Sequence, residues 1–351
     1  MDLPRIGLRL HGGMAPRRCI ELARAAEAHG LASVWFAENP FHRGVLPAAS
    51  ACAALTQRIG IGIGVVNPYN RHPSLIAMEF AALDELAGGR ALLGIGSGIH
   101  GAAARMGFAD NRPLSAVRDA IHIVRGLLRG DEVSYRGRVF AVDQLKLDFP
   151  ALRPDMPIHM AAMGAPGLQL CGQIADGLMI SNMCPPAYTA WAVATVHAAS
   201  AAAERPPPAI VQYVPCAVRP DRDAARHVVK PAIGVMLTAF WPATAAWPAP
   251  REIVVRHSGI ARGEFVATLD RLRRGEPAAE VLDDRYVDAF AIAGTAAECL
   301  ATAQRYRRAG VTELVLTFAG PQPEADLAYL ADALAAAQSG ADRGPRQANP
   351  G

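Results

Sequence analysis

Short hydrophobic runs of β character alternate along the chain with alanine-rich segments whose apolar residues recur at helical spacing. The first run, Arg5 to Leu10, predicts a strand, and Pro16 to His29 predicts a helix that begins with proline and stops at Gly30. A second strand is predicted over Ser33 to Ala37. This alternation is typical of a parallel sheet covered by helices.

The alternation continues to the end of the chain. The later predicted strands are Ile59 to Val66, Ala91 to Ile95, Pro157 to Ala161, Gly177 to Ser181, Ile210 to Ala217 and Glu313 to Thr317. The predicted helices include Leu46 to Arg58, Pro73 to Ala87, Pro113 to Arg129 and Glu324 to Ala337. Eight strands separated by helices predict the α/β class and a (β/α)8 TIM barrel.

Two stretches interrupt this pattern. Residues 131–147 contain short alternating runs around Arg136 and Gly137 that predict a β-hairpin. Residues 240–290 are rich in proline, tryptophan and charge, and predict a partly helical insertion between strands seven and eight. The final residues lack periodicity, so we expect one barrel domain over residues 1–338 and a disordered tail over residues 339–351.

A doubly wound sheet is the alternative architecture, because the chain contains several glycine clusters. A dinucleotide-binding loop needs glycine at its first, third and sixth positions. The cluster that begins at Gly94 has Ile99 in the sixth position, and the cluster that begins at Gly62 has Asn67 there. A GxxxxGKS or GxxxxGKT phosphate loop is also absent from the sequence, so the barrel is favoured.

Composition and charge exclude several classes of function. The 351 residues have a formal net charge of +3 with scattered lysine and arginine, so we expect no nucleic-acid partner. No apolar stretch reaches the roughly 18 residues of a membrane-spanning helix, and the amino terminus does not resemble a signal peptide. The six cysteines form no CxxC pair. We expect a cytoplasmic protein without membrane association or a bound metal.

The residues at or just past the end of each strand contain the candidate chemistry, because a TIM barrel places its active site at the carboxyl ends of its strands. The residues at these positions are Arg9, Glu38, His42, Asn67, His72, Gly94 to Gly98, Ala162 to Gly167, and Asn182. The segment after strand five opens a helix, whose N–H groups and dipole predict a phosphate site. A lone histidine is also typical of a solvated loop, and a lone glycine cluster of a tight turn. Their shared location favours the functional interpretation.

Six segments span nearly the whole chain and resemble one known family. They are GIGVVNPYNRHP (62–73), LDELAGGRALLGIGSG (83–98), RDAIHIVRGLLRG (118–130), VSYRGRVF (133–140), RPDMPIHMAAMGAPGLQLCGQIADGLMISN (153–182) and AGVTELVL (309–316). In this order and spacing they resemble the bacterial-luciferase-like superfamily. Within it they resemble the methylenetetrahydromethanopterin reductase branch, which uses a deazaflavin coenzyme.

The resemblance implies that the cofactor is the deazaflavin coenzyme F420. Members that bind it have a non-prolyl cis peptide bond in a bulge of strand three, which would join Gly64 to Val65 here and back the ring. Other matching positions, which line the ring, ribityl chain and phosphate, are Asn67, Gly94, Gly96, Ser97, Ala162, Met163, Gly164, Ala165 and Asn182.

The chain also departs from the reductase branch. Arg9 stands where the branch has Glu, Glu38-Asn39 where it has Asp-His, and Ile99 where it has Asp. These differences imply the family's chemistry on a different substrate. We expect hydride transfer to or from a small organic molecule, with Glu38 or His42 exchanging the proton. Arg9 would stabilise an anionic ring or a substrate carboxylate.

Two alternatives stay open on the sequence alone. One is a two-component monooxygenase in which FMN arrives reduced from a flavin reductase partner and reacts with oxygen. The other is a cofactor-free barrel that only binds a ligand or a partner. The resemblance also implies a homodimer, with the alanine-rich segments Leu46 to Leu55 and Leu75 to Leu86 as the candidate surfaces.

Overall fold

Strands and helices alternate through the computed structural model, which describes residues 2–39, 41–98, 102–108, 112–244 and 246–342. The strands are β1 (Arg5–His11), β2 (Ser33–Ala37), β3 (Gly60–Val66), β4 (Ala91–Ile95), β5 (Val133–Arg136), β6 (Ala141–Leu145), β7 (Ile158–Ala161), β8 (Gly177–Ile180), β9 (Ala209–Val218), β10 (Ile292–Gly294) and β11 (Glu313–Phe318).

The helices begin with α1 (Pro16–Ala28), α2 (Leu46–Leu55), α3 (Pro73–Leu86), α4 (Ala102–Arg105), α5 (Pro113–Arg129), α6 (Ala165–Ile174) and α7 (Pro186–Ala202). They continue with α8 (Arg222–Phe240), α9 (Ala249–His257), α10 (Arg262–Arg273), α11 (Ala278–Val281), α12 (Asp284–Phe290), α13 (Ala296–Arg308) and α14 (Pro323–Asp342). None of these described helices is long and apolar enough to cross a membrane.

Eight of the described strands close into a parallel barrel. Their hydrogen-bonded order is β1-β2-β3-β4-β7-β8-β9-β11, and β11 pairs with β1 to complete the ring. Parallel pairing places all eight carboxyl ends at one mouth. The predicted (β/α)8 barrel is therefore confirmed, and each predicted barrel strand matches the observed one to within one residue at either end.

The hydrophobic pattern missed one strand of the main sheet, β10. It pairs with Cys216 to Val218 in the carboxyl half of β9, while the amino half of β9 pairs with β8. Three residues are too few to show a period of two.

The predicted helix from Leu46 ends at Leu55 rather than Arg58, because the backbone is already extended at Thr56. The insertion before β10 contains helices α9 to α12.

The predicted hairpin is formed by β5 and β6, which pair antiparallel. Asp119 of α5 holds it in place: its carboxylate accepts hydrogen bonds from the N–H groups of Val139 and Phe140 and from the Tyr135 hydroxyl. Residue 137 is glycine for a steric reason, since a Cβ there would lie 2.2 Å from the Asp119 carboxyl carbon. The buried carboxylate of Asp119 thus anchors the hairpin to α5.

The interior of the barrel is filled with packed side chains. A cluster of buried side chains inside the ring includes Trp35, Met179, Val211, Tyr213 and Val315. Near the amino end of the barrel, Glu313 is buried and paired with Arg5, and accepts hydrogen bonds from Ser33 and from the Trp35 indole. Space for chemistry is consequently confined to the carboxyl mouth.

The end of the chain and one loop position of the sequence prediction lie outside the described residues. The last helix continues to Asp342, and residues 343–351 of the predicted tail lie outside the described residues. Ile99, one of the positions that depart from the reductase branch, also lies outside them. The domain boundary at residue 338 therefore stays a prediction. All six cysteines are buried free thiols.

Candidate active site

The order of the strands divides the mouth of the barrel into two halves. Strands β3, β4, β7 and β8 are consecutive neighbours and form what we call the glycine-rich half. Strands β9, β11, β1 and β2 are also consecutive and form the charged half. All the predicted cofactor positions follow or lie on strands of the glycine-rich half, whereas Arg9, Glu38 and His42 belong to the charged half.

The bulge of β3 is the first feature of the glycine-rich half. The peptide bond that joins Gly64 to Val65 is cis, at the position that the resemblance implied, and the pairing with β4 shifts register here. The Tyr213 hydroxyl donates a hydrogen bond to the Gly64 carbonyl over 2.9 Å. A Cβ on Gly64 would lie 2.3 Å from that hydroxyl oxygen and from the methyl carbon of Met179. The bulge is therefore packed tightly against the barrel interior.

The loop after β4 lies close to this bulge. A Cβ on Gly96 would meet Val65 at 2.8 Å and Ala161 at 2.9 Å, so the three strands approach closely. Asn67 is buried, donates to the Ser97 carbonyl over 3.0 Å and accepts from the Tyr69 N–H over 3.0 Å. Its amide thus ties the loop after β3 to the loop after β4, and its contact with a cofactor stays a prediction.

The segment after β7 starts helix α6 without a side-chain cap. Gly164 is the N-cap residue and provides no side-chain cap, and the first turn contains no acidic residue. The Tyr188 hydroxyl donates to the Met163 carbonyl over 2.5 Å and fixes the approach to the helix. Ala162 is buried, and Ala165 is the first helical residue. The positive end of the helix dipole therefore lies at the mouth, with no acidic side chain in the first turn of the helix.

Asn182 follows β8 and has an unsatisfied buried atom. Its side chain is only 3% exposed, and its Oδ1 has no hydrogen-bond partner among the described residues. The following turn is held by Gln212, which donates to the Cys184 carbonyl over 2.7 Å and accepts from Thr189 over 2.7 Å. Asn182 is thus fixed in place with a free acceptor, an arrangement that suits a bound ligand.

In the charged half, Glu38 belongs to a chain of ion pairs. Its Oε1 lies 2.5 Å from Arg71, whose Nε lies 2.9 Å from a Glu79 oxygen. Burial raises the pKa of the Glu79 carboxyl group. The nearby Arg71 charge lowers that pKa, and the Glu38 charge raises it further. The second oxygen of Glu38 is buried and accepts no hydrogen bond from any described residue. Glu79 was missed by sequence reasoning because it lies on helix α3 rather than just past a strand.

Arg9 points into the barrel mouth above Tyr213, with its guanidinium carbon 5.4 Å from the ring centroid. Its Nε is buried without a hydrogen-bond partner in the described part of the chain, and burial lowers the pKa of the guanidinium. The neighbouring His11 has its pKa lowered to about 4, first by burial and then by the charges of Arg9 and His42. The exposed His42 therefore lies near His11.

Two further polar groups at the mouth were not predicted as site residues. Thr317 of β11 has a buried hydroxyl oxygen with no partner among the described residues. Arg251 stacks over Trp241, with its guanidinium carbon 5.1 Å from the ring centroid, and its Nη1 is buried and likewise unsatisfied. Next to it, Pro250 packs within 3.0 Å of the Cβ position of Gly164. Arg251 lies in the insertion, where no strand pattern indicated a site.

A closed parallel barrel with unsatisfied polar atoms at its carboxyl mouth is typical of TIM-barrel enzymes. The sequence model of the luciferase-like monooxygenase family matches residues 1–313. The chain therefore belongs to the luciferase-like monooxygenase family and is an oxidoreductase of that superfamily.

Individual relatives agree with this membership. The 5,10-methylenetetrahydromethanopterin reductase of Methanolobus tindarius is 30% identical over 304 residues, 84% of this chain and 87% of that protein. The F420-dependent glucose-6-phosphate dehydrogenase of Nakamurella multipartita is 32% identical over 188 residues, 50% of this chain and 55% of that protein. The solved coenzyme F420-dependent tetrahydromethanopterin reductase of Methanopyrus kandleri superposes with a TM-score of 0.83 at 22% identity, covering 94% and 98% of the two chains. That likeness shows the shared fold.

Proposed function

We propose that this chain is a coenzyme F420-dependent oxidoreductase that transfers a hydride between the deazaflavin and a small organic substrate. The observation that carries the proposal is the arrangement of the glycine-rich half. There, a close-packed bulge in β3, an uncapped helix N-terminus after β7 and the free acceptor of Asn182 after β8 lie in the same half of the mouth. The relatives whose names specify coenzyme F420 support the choice of cofactor.

The residues present fit such a cofactor. The uncapped first turn of α6 offers backbone N–H groups and a positive dipole end to a phosphate group. Asn182 offers a buried acceptor to an N–H or hydroxyl donor of the ring or the ribityl chain. The bulge at Gly64 and Val65 and the loop at Gly94 to Ser97 would hold the ring with backbone atoms. Arg251 adds a positive charge on the same side of the mouth.

The charged half would provide the proton chemistry. When bound, the deazaflavin supplies or accepts a hydride at its C5 atom. Arg71 anchors one oxygen of Glu38, so the other oxygen is the atom that would hold or release the accompanying proton. His11 is neutral near pH 7, and its Nδ1 accepts a hydrogen bond from the Gly13 N–H, which leaves the hydrogen on Nε2. Nε2 would therefore act as a donor toward the substrate.

The direct test is a titration of the purified apo-protein with coenzyme F420 and with FMN, each oxidised and reduced, followed by fluorescence and calorimetry. We expect micromolar or tighter binding of coenzyme F420 and weaker binding of FMN. Preference for reduced FMN would instead support a two-component monooxygenase with a reductase partner. Failure to bind either cofactor would contradict the proposal and favour a cofactor-free binding protein.

A pair of variants at Ala165 tests the phosphate site. Ala165→Asp places a carboxylate in the first turn of α6, which should repel a phosphate and lower coenzyme F420 affinity by about 10- to 100-fold. The same carboxylate interacts favourably with the helix dipole, so the apo-protein should be as stable as the wild type or slightly more stable. Ala165→Asn has nearly the same shape without the charge and is the control. Equal affinities of the two variants would place the phosphate elsewhere.

A further inference from the structure

We propose that the substrate accepted by the charged half is an organic anion whose carboxylate group is bound by the Arg9 guanidinium and the Thr317 hydroxyl. This inference rests on the proposed function, since it assigns the glycine-rich half to the cofactor and the charged half to the substrate. Neither the family membership nor the relatives' names specify this pair of residues.

The strand register brings the two residues together. Leu8 of β1 is paired with Leu316 of β11, so the next residues, Arg9 and Thr317, lie side by side on strands about 5 Å apart. Side chains alternate between the two faces of a strand, and Val315 belongs to the cluster inside the barrel. Thr317, two residues further on, therefore also faces the interior. Both side chains point into the mouth from adjacent strands.

Both residues have buried polar atoms that the protein itself does not satisfy. The Nε of Arg9 and the Oγ1 of Thr317 have no hydrogen-bond partner in the described part of the chain. Two other partly buried arginines donate to carboxylates: Arg153 donates to Asp84, and Arg226 donates to Asp284. A buried polar group without a partner is destabilising, so two such groups side by side indicate a ligand that satisfies both.

The charges around Arg9 favour an anion. The groups that face it are Tyr213, whose hydroxyl is engaged with the Gly64 carbonyl, and His11, which is neutral near pH 7. Glu38 is paired with Arg71, and Glu313 is paired with Arg5. No described carboxylate therefore neutralises Arg9. One guanidinium balances one negative charge and binds two oxygens in a fork, which suits a carboxylate better than a dianionic phosphate.

The position of the pair separates it from the predicted cofactor contacts. Those contacts lie on β3, β4, β7 and β8, whereas Arg9 and Thr317 lie on β1 and β11 across the barrel. Glu38, the proposed proton carrier, follows β2 and so lies in the same half as the pair. A carboxylate held by Arg9 and Thr317 would consequently orient the rest of the substrate toward both the proton carrier and the cofactor.

The test uses matched probes that differ only in charge, benzoate against benzamide and propionate against propionamide. Their binding is measured by thermal shift and calorimetry on the apo-protein, and by perturbation of the deazaflavin absorbance on the cofactor-loaded protein. We expect the carboxylates to bind the wild type and the amides to bind at least tenfold more weakly. Thr317→Val keeps the shape of the side chain and should lower carboxylate affinity by about five- to tenfold.

Arg9→Met should abolish carboxylate binding, while Arg9→Lys should retain part of it. Arg43→Met is the control, because it removes an exposed cation near the mouth whose Nη1 already donates to the Gly12 and Gly13 carbonyls. It should bind carboxylates like the wild type. Equal binding of carboxylates and amides, or unchanged carboxylate affinity in both Thr317→Val and Arg9→Met, would overturn the proposal.

The source of the anion and the proposed function are tested separately. If Thr317→Val and Arg9→Met weaken coenzyme F420 binding but not carboxylate binding, the anion that Arg9 and Thr317 bind is the cofactor ring, and the substrate assignment is wrong. If the wild type binds carboxylates but not coenzyme F420, the proposed function fails while the anion site survives. Carboxylate binding that depends on Arg9 and Thr317, with coenzyme F420 affinity within twofold of the wild type, supports both.

Discussion

The pKa of His11, at the mouth of the barrel, depends on burial and on neighbouring charges. It is partly buried and lies near two other basic groups, Arg9 and His42, and these conditions lower its pKa from 6.5 to about 4. The Gly13 N–H donates to its Nδ1, which also favours the neutral ring. Protonation of His11 would therefore introduce a second positive charge beside Arg9 and break this hydrogen bond.

This environment predicts a pH dependence of stability. Between about pH 4 and 6.5 the unfolded chain binds a proton at His11 that the folded chain does not, so stability is complete above pH 6.5 and falls as the pH is lowered toward 4. In His11→Asn the amide oxygen can still accept from Gly13, but nothing titrates. We expect a smaller drop in the midpoint of thermal unfolding for this variant between pH 7 and 4.5.

The exposed His29 supplies the control for this measurement. His29→Asn should show the same drop in unfolding temperature as the wild type. Equal drops in unfolding temperature for the wild type and His11→Asn would mean that His11 titrates alike in the folded and unfolded states. This result would contradict the proposal that His11 is a neutral donor.

At the scale of elements, the β5–β6 hairpin is the clearest case of a local structure held by a distant side chain. Asp119 is 2% exposed and satisfies two backbone N–H groups and the Tyr135 hydroxyl. From the hairpin, Phe140 packs its ring edge-on against His72, just past the β3 loop that contains Asn67. The hairpin therefore supports one side of the glycine-rich half.

Asp119→Ala should lower the free energy of unfolding by about 2–4 kcal/mol, because it leaves the buried N–H groups of Val139 and Phe140 without acceptors. Urea denaturation followed by circular dichroism measures the loss. Asp143→Ala on the same hairpin removes an exposed acid that accepts from Ser134, and should change stability by less than about 0.5 kcal/mol. Similar losses in both variants would show that Asp119 does not dock the hairpin.

For the whole molecule, the distribution of exposed apolar side chains bears on assembly. Leu55, at the end of α2, and Leu75, Met78 and Leu86, on α3, are each 40–53% exposed. These are the two helices that the family resemblance indicated as a pairing surface. Apolar side chains grouped on neighbouring helices are typical of protein interfaces. We propose that two copies of the chain associate through this surface.

Met78→Glu should convert such a homodimer to a monomer, since it would bury a charge at the interface. Light scattering coupled to size-exclusion chromatography at about 10 μM, a concentration at which interfaces of standard size are formed, gives the mass directly. Val235→Glu on α8 alters a residue that is 70% exposed and belongs to another face, and should leave the mass unchanged. A monomeric wild type would contradict the proposal.

The sequence was sufficient to predict that Arg9 and Glu38 of the charged half lie at the mouth, and that the candidate residues of the glycine-rich half lie there too. Arg9 and Glu38 were identified because residues at or just past the end of a barrel strand must lie at the mouth. Residues that reach the mouth or its ion pairs from other elements were not identified. Glu79 reaches Arg71 from a helix, and Arg251 comes from an insertion whose path no periodicity describes.

What the sequence alone determined is therefore the order of strands and helices, the closed barrel they form and the rim on which the candidate residues lie. These follow from local periodicity and from the rule that parallel strands end at one mouth. The tertiary structure decided which polar atoms are satisfied. Arg9 and Thr317 are 308 positions apart in the numbering, and they meet only because β11 closes the barrel against β1. Register and burial are long-range properties, and the unsatisfied atoms that indicate a ligand exist only once the chain has closed.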